Sequence, residues 1–272
     1  MRIVNHKLEG VPYDPAKTIG PAIDPKFLVM HYTAGYTSQA AINVFNSTVI
    51  AAHLVVDPNG SVVQMVPFNR RANHAGPSKW MGVSMLNNHS IGIEFVNIGW
   101  AKMRADGRLV DSYGNVIPED YAKTFIEAPN ARVGSGRLFW APYTPAQVDV
   151  GLAITAAILG TYNIRDIVSH EEIDTRGWKT DPGPAFPMNR FTALMRGSEI
   201  GEKPANGMVG TVNTATLNIR GGPGTNFPVI GATKLGSRLG IIENKNGWFR
   251  IQTLINNVPG SGWVLDDYVD VT

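Results

Sequence analysis

The chain has 272 residues, of which 43% are apolar and 17% are charged, and it contains no cysteine. This composition is that of a folded chain long enough for one large domain or one domain with a small partner, and it excludes extensive disorder. The lack of cysteine excludes disulfides, thiolate metal ligands and a cysteine nucleophile. A net charge of +2 without a long like-charge run argues against a nucleic-acid-binding protein.

The sequence gives no sign of a membrane-spanning or exported segment. Its longest apolar run, residues 150–160, is far shorter than the ~20 residues that span a bilayer. Residues 1–17 carry charges and prolines where a signal peptide has an apolar segment. We therefore expect synthesis in the cytoplasm without a signal peptide, and no membrane insertion.

The first part of the chain mixes strand and helix signals. Residues 27–31 predict a short buried strand, and residues 38–46 predict a helix with Ser38 as its cap. Residues 52–66 flank an Asn-Gly turn and predict a hairpin, and residues 90–97 alternate as a strand.

Residues 98–195 contain one long segment without a clear signal, followed by segments with clear helix and strand signals. Residues 98–140 show no period and are expected to form an elaborated loop over the core. Thr144 and Pro145 predict the capped start of a helix that ends near Tyr162. Residues 167–170 predict another short strand and residues 187–195 a final helix. The whole pattern is typical of an α/β domain with a mixed central sheet flanked by helices.

A polar, turn-rich segment at residues 196–207 separates two patterned regions. After it, short strand-like runs recur about every ten residues between turns, which is typical of a small β-barrel. We predict a first domain at 1–200, a linker at 201–207 and an all-β domain at 208–272.

Two of the six histidines lie where a metal-binding or catalytic site is expected. His31 and His170 each end a β-run and enter a polar loop, and Asp181 follows in the same part of the chain. Two histidines and one carboxylate leave a coordination position open for water, as in hydrolytic zinc sites. Because the three positions are 139 and 11 residues apart, spacing leaves open the alternative that each histidine is a hydrogen-bonded structural residue.

Five stretches occur in an order that resembles a known family. They are VMHYTAG at 29–35, AAHLVVD at 51–57, NHAG at 73–76, NHSIGIE at 88–94, and VSH at 168–170 with WKTDPGPAF at 178–186. Together, over roughly residues 25–195, they resemble the zinc-dependent N-acetylmuramoyl-L-alanine amidases of the type 2 family, which are relatives of the peptidoglycan-recognition proteins.

The resemblance implies the residues of a site and their roles. His31, His170 and Asp181 would bind a zinc ion (Zn2+), and Glu94 and Lys179 would form the catalytic pair. The implied reaction is hydrolysis, by an activated water, of the amide between the lactyl group of N-acetylmuramic acid and L-alanine of peptidoglycan.

Members of the family differ in their acid–base residue. Some place a catalytic tyrosine just before a strand histidine and use cysteine as the third ligand, whereas this chain has Ala52 and Asp181 at those positions. The resemblance therefore implies the branch in which the glutamate of Ile-Gly-Ile-Glu, Glu94, moves the proton.

Three further residues are candidates for substrate binding. His74 resembles a position that lines the substrate groove, although a structural hydrogen bond is equally compatible. His53 lies inside a predicted strand, where a buried role and a cleft role are both open. Arg71 could pair with a stem-peptide carboxylate, because guanidinium binds carboxylate bidentately, or it could be an ordinary surface arginine.

Residues 208–270 resemble the bacterial SH3-like domain, which implies a small β-barrel that targets cell walls. The expected partners are peptidoglycan or muropeptides, reached after lysis or by a non-classical release route, as for an endolysin. Two alternatives stay open: a peptidoglycan-recognition protein without catalytic activity, and a zinc peptidase that cuts within the stem peptide. The fold alone does not decide which bond is cut.

Overall fold

The structure is a computed structural model that describes residues 1–199, 209–255 and 258–271. By its internal contacts the chain divides into two compact units, Met1–Met188 and Asn189–Thr272. The linker expected at 201–207 lies outside the described residues.

The first unit contains short strands and a few helices between its loops. In chain order its strands are β1 (Ile3–Val4), β2 (Lys7–Leu8), β3 (Phe27–Tyr32), β4 (Leu54–Val56), β5 (Val62–Gln64), β6 (Lys79–Trp80), β7 (Val83–Ser84), β8 (Ser90–Phe95), β9 (Trp100–Met103), β10 (Leu109–Asp111), β11 (Ile126–Glu127), β12 (Leu138–Trp140) and β13 (Asp166–Ser169). The helices of the chain are α1 (Ser38–Ser47), α2 (Glu119–Ala122), α3 (Pro145–Leu159), α4 (His170–Ile173) and α5 (Met188–Glu199). A 3-10 turn at Leu86–Asn88 precedes β8.

A five-stranded sheet in the order β13-β3-β8-β4-β5 forms the centre of this unit. The first four strands run parallel, and β5 pairs antiparallel with β4, which confirms the predicted hairpin. Strands buried on both faces read as continuous apolar runs, as β3 does. Parallel strands bring their carboxyl ends to one edge of the sheet, and loops at that edge are where α/β proteins place their sites.

Apolar clusters hold the sheet against its surroundings. Phe27 and Val29 of β3 pack with Val168 of β13 and with Leu86 and Ile173. Fully burying one such side chain contributes about 1.5–3 kcal/mol. The cluster therefore fixes β3 and β13 side by side just below the edge where both strands end.

Two helix starts follow local rules. The side chain of Thr37 caps α1 by accepting from the Ala40 backbone N–H at 3.2 Å, so the expectation of Ser38 as the cap is wrong by one residue. Thr144 caps α3 as predicted, in a reciprocal capping box with Gln147. The helix ends at Leu159, one turn before Tyr162.

The expectation of a loop at 98–140 is corrected by the structure. This segment forms a second sheet in the order β10-β9-β12-β11, together with α2. Its strands have two to four residues each, too short to show a period in the sequence. We call residues 98–140 the insertion.

The second unit is an antiparallel sheet of seven strands beyond α5. The strands are β14 (Val209–Val212), β15 (Thr216–Arg220), β16 (Val229–Lys234), β17 (Arg238–Lys245), β18 (Trp248–Ile255), β19 (Val258–Leu265) and β20 (Val269–Val271), arranged in the order β16-β15-β19-β18-β17-β14-β20. Six of them contribute to one buried cluster, which requires the sheet to curve around it. The all-β expectation is confirmed. Among the described helices, none combines the length and the apolar character needed to cross a bilayer.

Candidate metal centre and active site

Three parallel strands place the main candidate residues level with one another. His31 of β3 is the register partner of Glu94 of β8. On the other side of β3, Ser169 of β13 pairs with Met30, and His170 follows Ser169 directly. The carboxyl edge of the sheet therefore aligns His170, His31 and Glu94.

His170 does not end a strand, as the sequence suggested, but begins the short helix α4. Ser169 caps that helix by accepting from the backbone N–H of Glu172 at 3.1 Å, and the Glu172 side chain accepts in return from the Ser169 N–H at 2.8 Å. The capping box turns the chain at the strand end and fixes the direction in which the His170 ring leaves the backbone.

The three predicted metal ligands converge in the structure. His31 Nδ1 lies 2.9 Å from His170 Nδ1 and 3.0 Å from Asp181 Oδ2, and His170 Nδ1 lies 2.9 Å from the same oxygen. All three residues are buried, and their donor atoms lie within 4.8 Å of one another. Two ring nitrogens and one carboxylate oxygen face a common point, which is the arrangement of a three-ligand cation site.

The electrostatics of this cluster favour ligands in their metal-binding protonation states. Burial, followed by the charge of His170, lowers the pKa of His31 to about 4. Burial by itself would raise the pKa of Asp181, but the close contacts of its carboxylate with the rings of His170 and His31 outweigh burial and hold that pKa below its usual value. A neutral imidazole and an ionised carboxylate are the forms that bind a metal ion.

Glu94 carries a carboxylate that is shielded and incompletely bonded. Its Oε2 is buried and has no hydrogen-bond partner among the described residues. Burial, followed by the negative charge of Asp181, raises the pKa of Glu94 well above its usual value, and the ammonium of Lys179 opposes this rise. A carboxyl group whose proton affinity is raised in this way is suited to accepting and returning a proton.

The loop that bears Lys179 and Asp181 is fixed by a buried aspartate. Asp174 accepts from the backbone N–H groups of Trp178 at 2.7 Å and Lys179 at 3.1 Å, and from Arg176 Nε at 3.0 Å. Burial opposes ionisation of this carboxyl group, yet these hydrogen bonds lower its pKa to about 2. Asp174 therefore acts as an ionised anchor for the main chain of the loop.

The insertion holds the same loop from its other side. Arg132 Nη1 donates to the carbonyl oxygen of Lys179 at 3.0 Å and lies 3.7 Å from Asp174 Oδ2. Sequence reasoning missed both residues. Asp174 lies between two predicted ligands and could have been noticed for that reason, whereas nothing in the pattern of the insertion marks Arg132.

His74 is brought to the centre, but the residue is only 7% exposed. Its Nδ1 lies 2.9 Å from His31 Nε2, and its Nε2 lies 3.2 Å from Ser90 Oγ. Burial, followed by the neighbouring histidines His31 and His53, lowers the pKa of His74 well below its usual value. The geometry supports the structural alternative for this residue over substrate contact.

His53 and Arg71, the other two candidates for substrate binding, form their hydrogen bonds with residues other than the three candidate metal ligands. His53 is fully buried, and both ring nitrogens bond to main chain: Nδ1 accepts from Gly92 N–H at 3.0 Å and Nε2 lies 2.9 Å from the Arg70 carbonyl oxygen. Arg71 Nη1 lies 3.5 Å from Asn88 Oδ1, before the start of β8, at the end of the strand opposite Glu94. The buried alternative for His53 is supported, because its polar atoms are already used.

Two cavities occur near the carboxyl edge of the sheet. One, of about 300 Å³, is lined by Ser169, Glu171 and Pro182, the chain neighbours of His170 and Asp181. The other, of about 540 Å³, has walls that include Asn97 after β8 and Tyr121 of the insertion. The lining residues of the two cavities are chain neighbours of the site residues and do not include His31, His170, Asp181 or Glu94 themselves.

Comparison with known families shows to which family the chain belongs. Residues 21–184 match the family described as N-acetylmuramoyl-L-alanine amidase, and residues 215–270 match the bacterial SH3 domain. The first match spans more than half of the chain. The chain belongs to the N-acetylmuramoyl-L-alanine amidase family. The resemblances inferred from the five stretches and from residues 208–270 are thereby confirmed.

Individual members of the amidase family are similar at the level of sequence. The N-acetylmuramoyl-L-alanine amidase AmiD of Escherichia coli K12 is 32% identical over 174 residues, which cover 61% of this chain and 51% of AmiD. The 1,6-anhydro-N-acetylmuramyl-L-alanine amidase AmpD of Enterobacter cloacae is 32% identical over 148 residues, which cover 54% of this chain and 57% of AmpD. The chain thus matches somewhat more than half the length of these curated relatives.

A solved structure is also similar. It is the complex of E. coli AmiD with the substrate anhydro-N-acetylmuramic acid-L-Ala-D-gamma-Glu-L-Lys, with 28% sequence identity and a TM-score of 0.47. The similarity covers 68% of this chain and 61% of that chain.

Proposed function

We propose that this protein hydrolyses the amide bond between the lactyl group of N-acetylmuramic acid and L-alanine in peptidoglycan, as a zinc-dependent amidase. The observation that carries the proposal is the convergence of His31, His170 and Asp181 in a chain of the amidase family. Glu94, next to His31 in the sheet register, adds a buried carboxylate oxygen that has no hydrogen-bond partner among the described residues. The names of the relatives AmiD and AmpD describe amidases of this type.

The donor set fits a zinc ion. His31 and His170 offer ring nitrogens, Asp181 offers a carboxylate oxygen, and all three are buried with their donor atoms within 4.8 Å of one another. Nitrogen and oxygen donors from three protein side chains are typical of catalytic zinc sites, which keep one position open. When bound there, zinc supplies Lewis acidity that makes water a better nucleophile and polarises a carbonyl group.

Glu94 is proposed to move the proton. Glu94 lies beside His31 in the sheet register, and its raised pKa suits it to take a proton from the attacking water. The same group then returns that proton to the departing amine of L-alanine, so the residue ends the cycle as it began. Its buried Oε2 is free for this task among the described residues.

Lys179 is proposed to stabilise the negative charge that develops on the carbonyl oxygen. The charge of its ammonium lowers the pKa values of both Glu94 and His31, which supports this role. Charge stabilisation that is organised before the reaction is often worth about 3–4 kcal/mol. The main-chain bonds from Lys179 to Asp174 and Arg132 keep its backbone in place.

The two alternatives account for less of this geometry. A peptidoglycan-recognition protein without activity has no use for the buried Glu94 Oε2, which lacks a hydrogen-bond partner among the described residues, and such an atom costs stability. A zinc peptidase that cuts within the stem peptide would use the same residues on another amide. The family membership favours the lactyl–alanine bond.

We propose that the second unit directs the enzyme to cell walls, in the manner of an endolysin. The match of residues 215–270 to the bacterial SH3 domain supports this role. The candidate ligands and acid–base residues all precede residue 182, and residues 208–272 contain no histidine. Chemistry and targeting are thus assigned to separate parts of the chain, with peptidoglycan as the common partner.

Product analysis tests the proposal. The full-length protein is incubated with purified muropeptides, with and without a chelator, and the products are identified by mass spectrometry. We expect a free lactyl sugar and an intact stem peptide, no products after chelation, and recovery on adding zinc. Cleavage within the peptide would support the peptidase, and binding without products would support the recognition protein.

A further inference from the structure

We propose that a hydrogen-bond relay from His31 through His74 to Ser90 fixes the tautomer of His31, so that its Nδ1 presents a lone pair to the metal ion. His74 and Ser90 then act as positioning residues. The inference rests on the metal centre of the proposed function, but it does not depend on which bond is cut. All three side chains are buried, with exposures of 1% for His31, 7% for His74 and 0% for Ser90.

The direction of the relay is set at its far end. Ser90 Oγ lies 2.6 Å from the carbonyl oxygen of Leu86. A carbonyl oxygen only accepts, so the single hydroxyl proton of Ser90 points to Leu86. Ser90 Oγ can therefore only accept at its second contact, 3.2 Å from His74 Nε2, and His74 donates from Nε2.

The remaining steps follow from the imidazole itself. A neutral imidazole that donates from Nε2 accepts at Nδ1. His74 Nδ1 lies 2.9 Å from His31 Nε2, so His31 donates from Nε2 and its Nδ1 is left unprotonated. This Nδ1 is the atom that faces His170 and Asp181. The relay thus selects the one neutral tautomer of His31 that can bind a metal ion at this point.

The surroundings keep His74 neutral. Its ring packs edge-on against His31 and His53, with centroids 5.0 Å and 5.7 Å away. A buried imidazolium between two other imidazoles would lose its hydration without gaining a counter-ion. Neutral His74 can donate from Nε2 to Ser90 and accept at Nδ1 from His31. This leaves Nδ1 of His31 free to bind the metal ion.

The segment that carries His74 also serves the second histidine ligand. His170 Nε2 lies 3.3 Å from the carbonyl oxygen of Ala75, which directs its proton to Nε2 and its lone pair to Nδ1. The segment itself is held by Asn87, whose Oδ1 accepts from the backbone N–H groups of His74 at 2.9 Å and Ala75 at 2.7 Å. One short segment therefore orients both histidines in the same way.

Gly92 leaves the space that the relay needs. It lies on β8 between Ser90 and Glu94 and on the same face, because side chains alternate along a strand. A Cβ atom at this position would lie 2.5 Å from the His74 ring atoms Cγ and Nδ1. The ring occupies the volume in which any other residue at position 92 would place its side chain.

The first experiment measures zinc affinity on full-length, metal-stripped variants by competition with a chelator. His74→Ala should bind zinc roughly 10–100-fold more weakly, the range found for partners of metal ligands. The amide oxygen of His74→Asn can reach the Nδ1 position and accept from His31, so this variant should retain most of the affinity. His74→Gln reaches only the Nε2 position and should lose as much as His74→Ala.

Two further variants separate the relay from general packing. Ser90→Ala removes the group that sets the direction, so His74 can adopt either tautomer, and zinc affinity should fall by less than in His74→Ala. The matched control is Thr155→Val, which changes a buried hydroxyl group on α3 and should leave the affinity unaltered. Circular dichroism of each variant shows whether it is folded.

The second experiment reads the tautomer directly. In the zinc-loaded wild-type protein, nitrogen-15 NMR should show His31 protonated at Nε2, with a proton that exchanges slowly with water, and Ser90→Ala should accelerate that exchange. Three results would overturn the relay. The first is wild-type zinc affinity in folded His74→Ala, and the second is equal zinc affinity in His74→Asn and His74→Gln. The third is an unchanged rate of proton exchange at His31 in Ser90→Ala. If His74→Ala does not fold, the other three variants decide. None of these measurements uses a substrate. If the zinc affinities and exchange rates are as expected but the protein cuts no muropeptide, the proposed reaction is contradicted and the relay is not.

Discussion

Glu94 and His31 are register partners on the adjacent parallel strands β8 and β3, and their side chains project from the same face of the central sheet. Neighbouring strands lie about 4.8 Å apart, so the proposed proton carrier and a proposed metal ligand leave the backbone side by side. No loop has to close to bring them together. The spacing of the two groups is therefore a property of the sheet itself.

Replacement of Glu94 should separate metal binding from chemistry. Glu94→Gln keeps the shape of the side chain but removes its ability to accept a proton, so turnover should fall by at least about a hundredfold. Bound zinc, measured by atomic absorption, should stay at the wild-type level. Glu127→Gln is the matched control, because Glu127 forms an ion pair with Arg137 on the surface. A Glu94→Gln enzyme with an unchanged rate would assign the proton transfer to another group.

Replacement of Lys179 should affect the transition state more than substrate binding. Lys179→Ala removes the charge proposed to stabilise the developing oxyanion, so kcat should fall by at least about a hundredfold while zinc is retained. Lys123→Ala, at an exposed position directly after α2, serves as the control. If KM rises and kcat does not change, Lys179 holds the substrate and takes no part in the chemical step.

Asp174 gives a prediction for stability and its dependence on pH. Its pKa of about 2 in the folded protein lies below the value of about 3.9 expected for an unfolded chain. A lowered carboxyl pKa stabilises the fold above pH ~4, and this contribution, about 2.6 kcal/mol, is lost as the pH falls from ~4 through ~2.

Asp174→Asn should therefore be less stable than wild type by about 2.6 kcal/mol at neutral pH, and the difference should shrink as the pH falls towards 2. Urea unfolding at a series of pH values measures this. Asp120→Asn, at a side chain that is 99% exposed, should show no comparable difference. A gap between wild type and Asp174→Asn that is independent of pH would show that Asp174 contributes through packing and not through its charge.

Removal of the second unit should slow the cleavage of intact cell walls but not the cleavage of soluble muropeptide. A chain that ends at residue 200 should bind zinc and cleave soluble muropeptide at nearly the full rate. On intact cell walls it should be slower, and the deficit should grow on dilution, because a tethered binding domain raises the local concentration of enzyme at its polymer. Paired rates of the two chains on both substrates measure this. Equal losses on both substrates would indicate that the second unit supports the fold of the first.

Much of the centre of the first unit is predictable from local patterns. The apolar run of β3, the turn between β4 and β5 and the capped start of α3 are signals that depend on neighbouring residues alone. The ligands His31, His170 and Asp181 were reached by family resemblance, because residues so far apart in the chain have no local signature.

The parts that were missed depend on contacts distant in sequence. Arg132 meets Lys179 across 47 residues, and the strands of the insertion are too short to show a period. His74 could be singled out as a histidine in a motif, but its role depends on which protons its partners hold. That information exists only once Ser90 and Leu86 are placed in space.

The missing side chain at position 92 has a consequence for how this domain can change through evolution. A β-carbon at 92 and an imidazole at 74 compete for one volume, so a side chain at 92 is harmful while the ring at 74 is kept, and it can be accommodated once residue 74 is smaller. The two positions should accordingly be inherited as a pair. In a library randomised at both, folded survivors should combine glycine at 92 with a ring at 74, or a larger residue at 92 with a small one at 74, and the second group should have given up part of its hold on the metal.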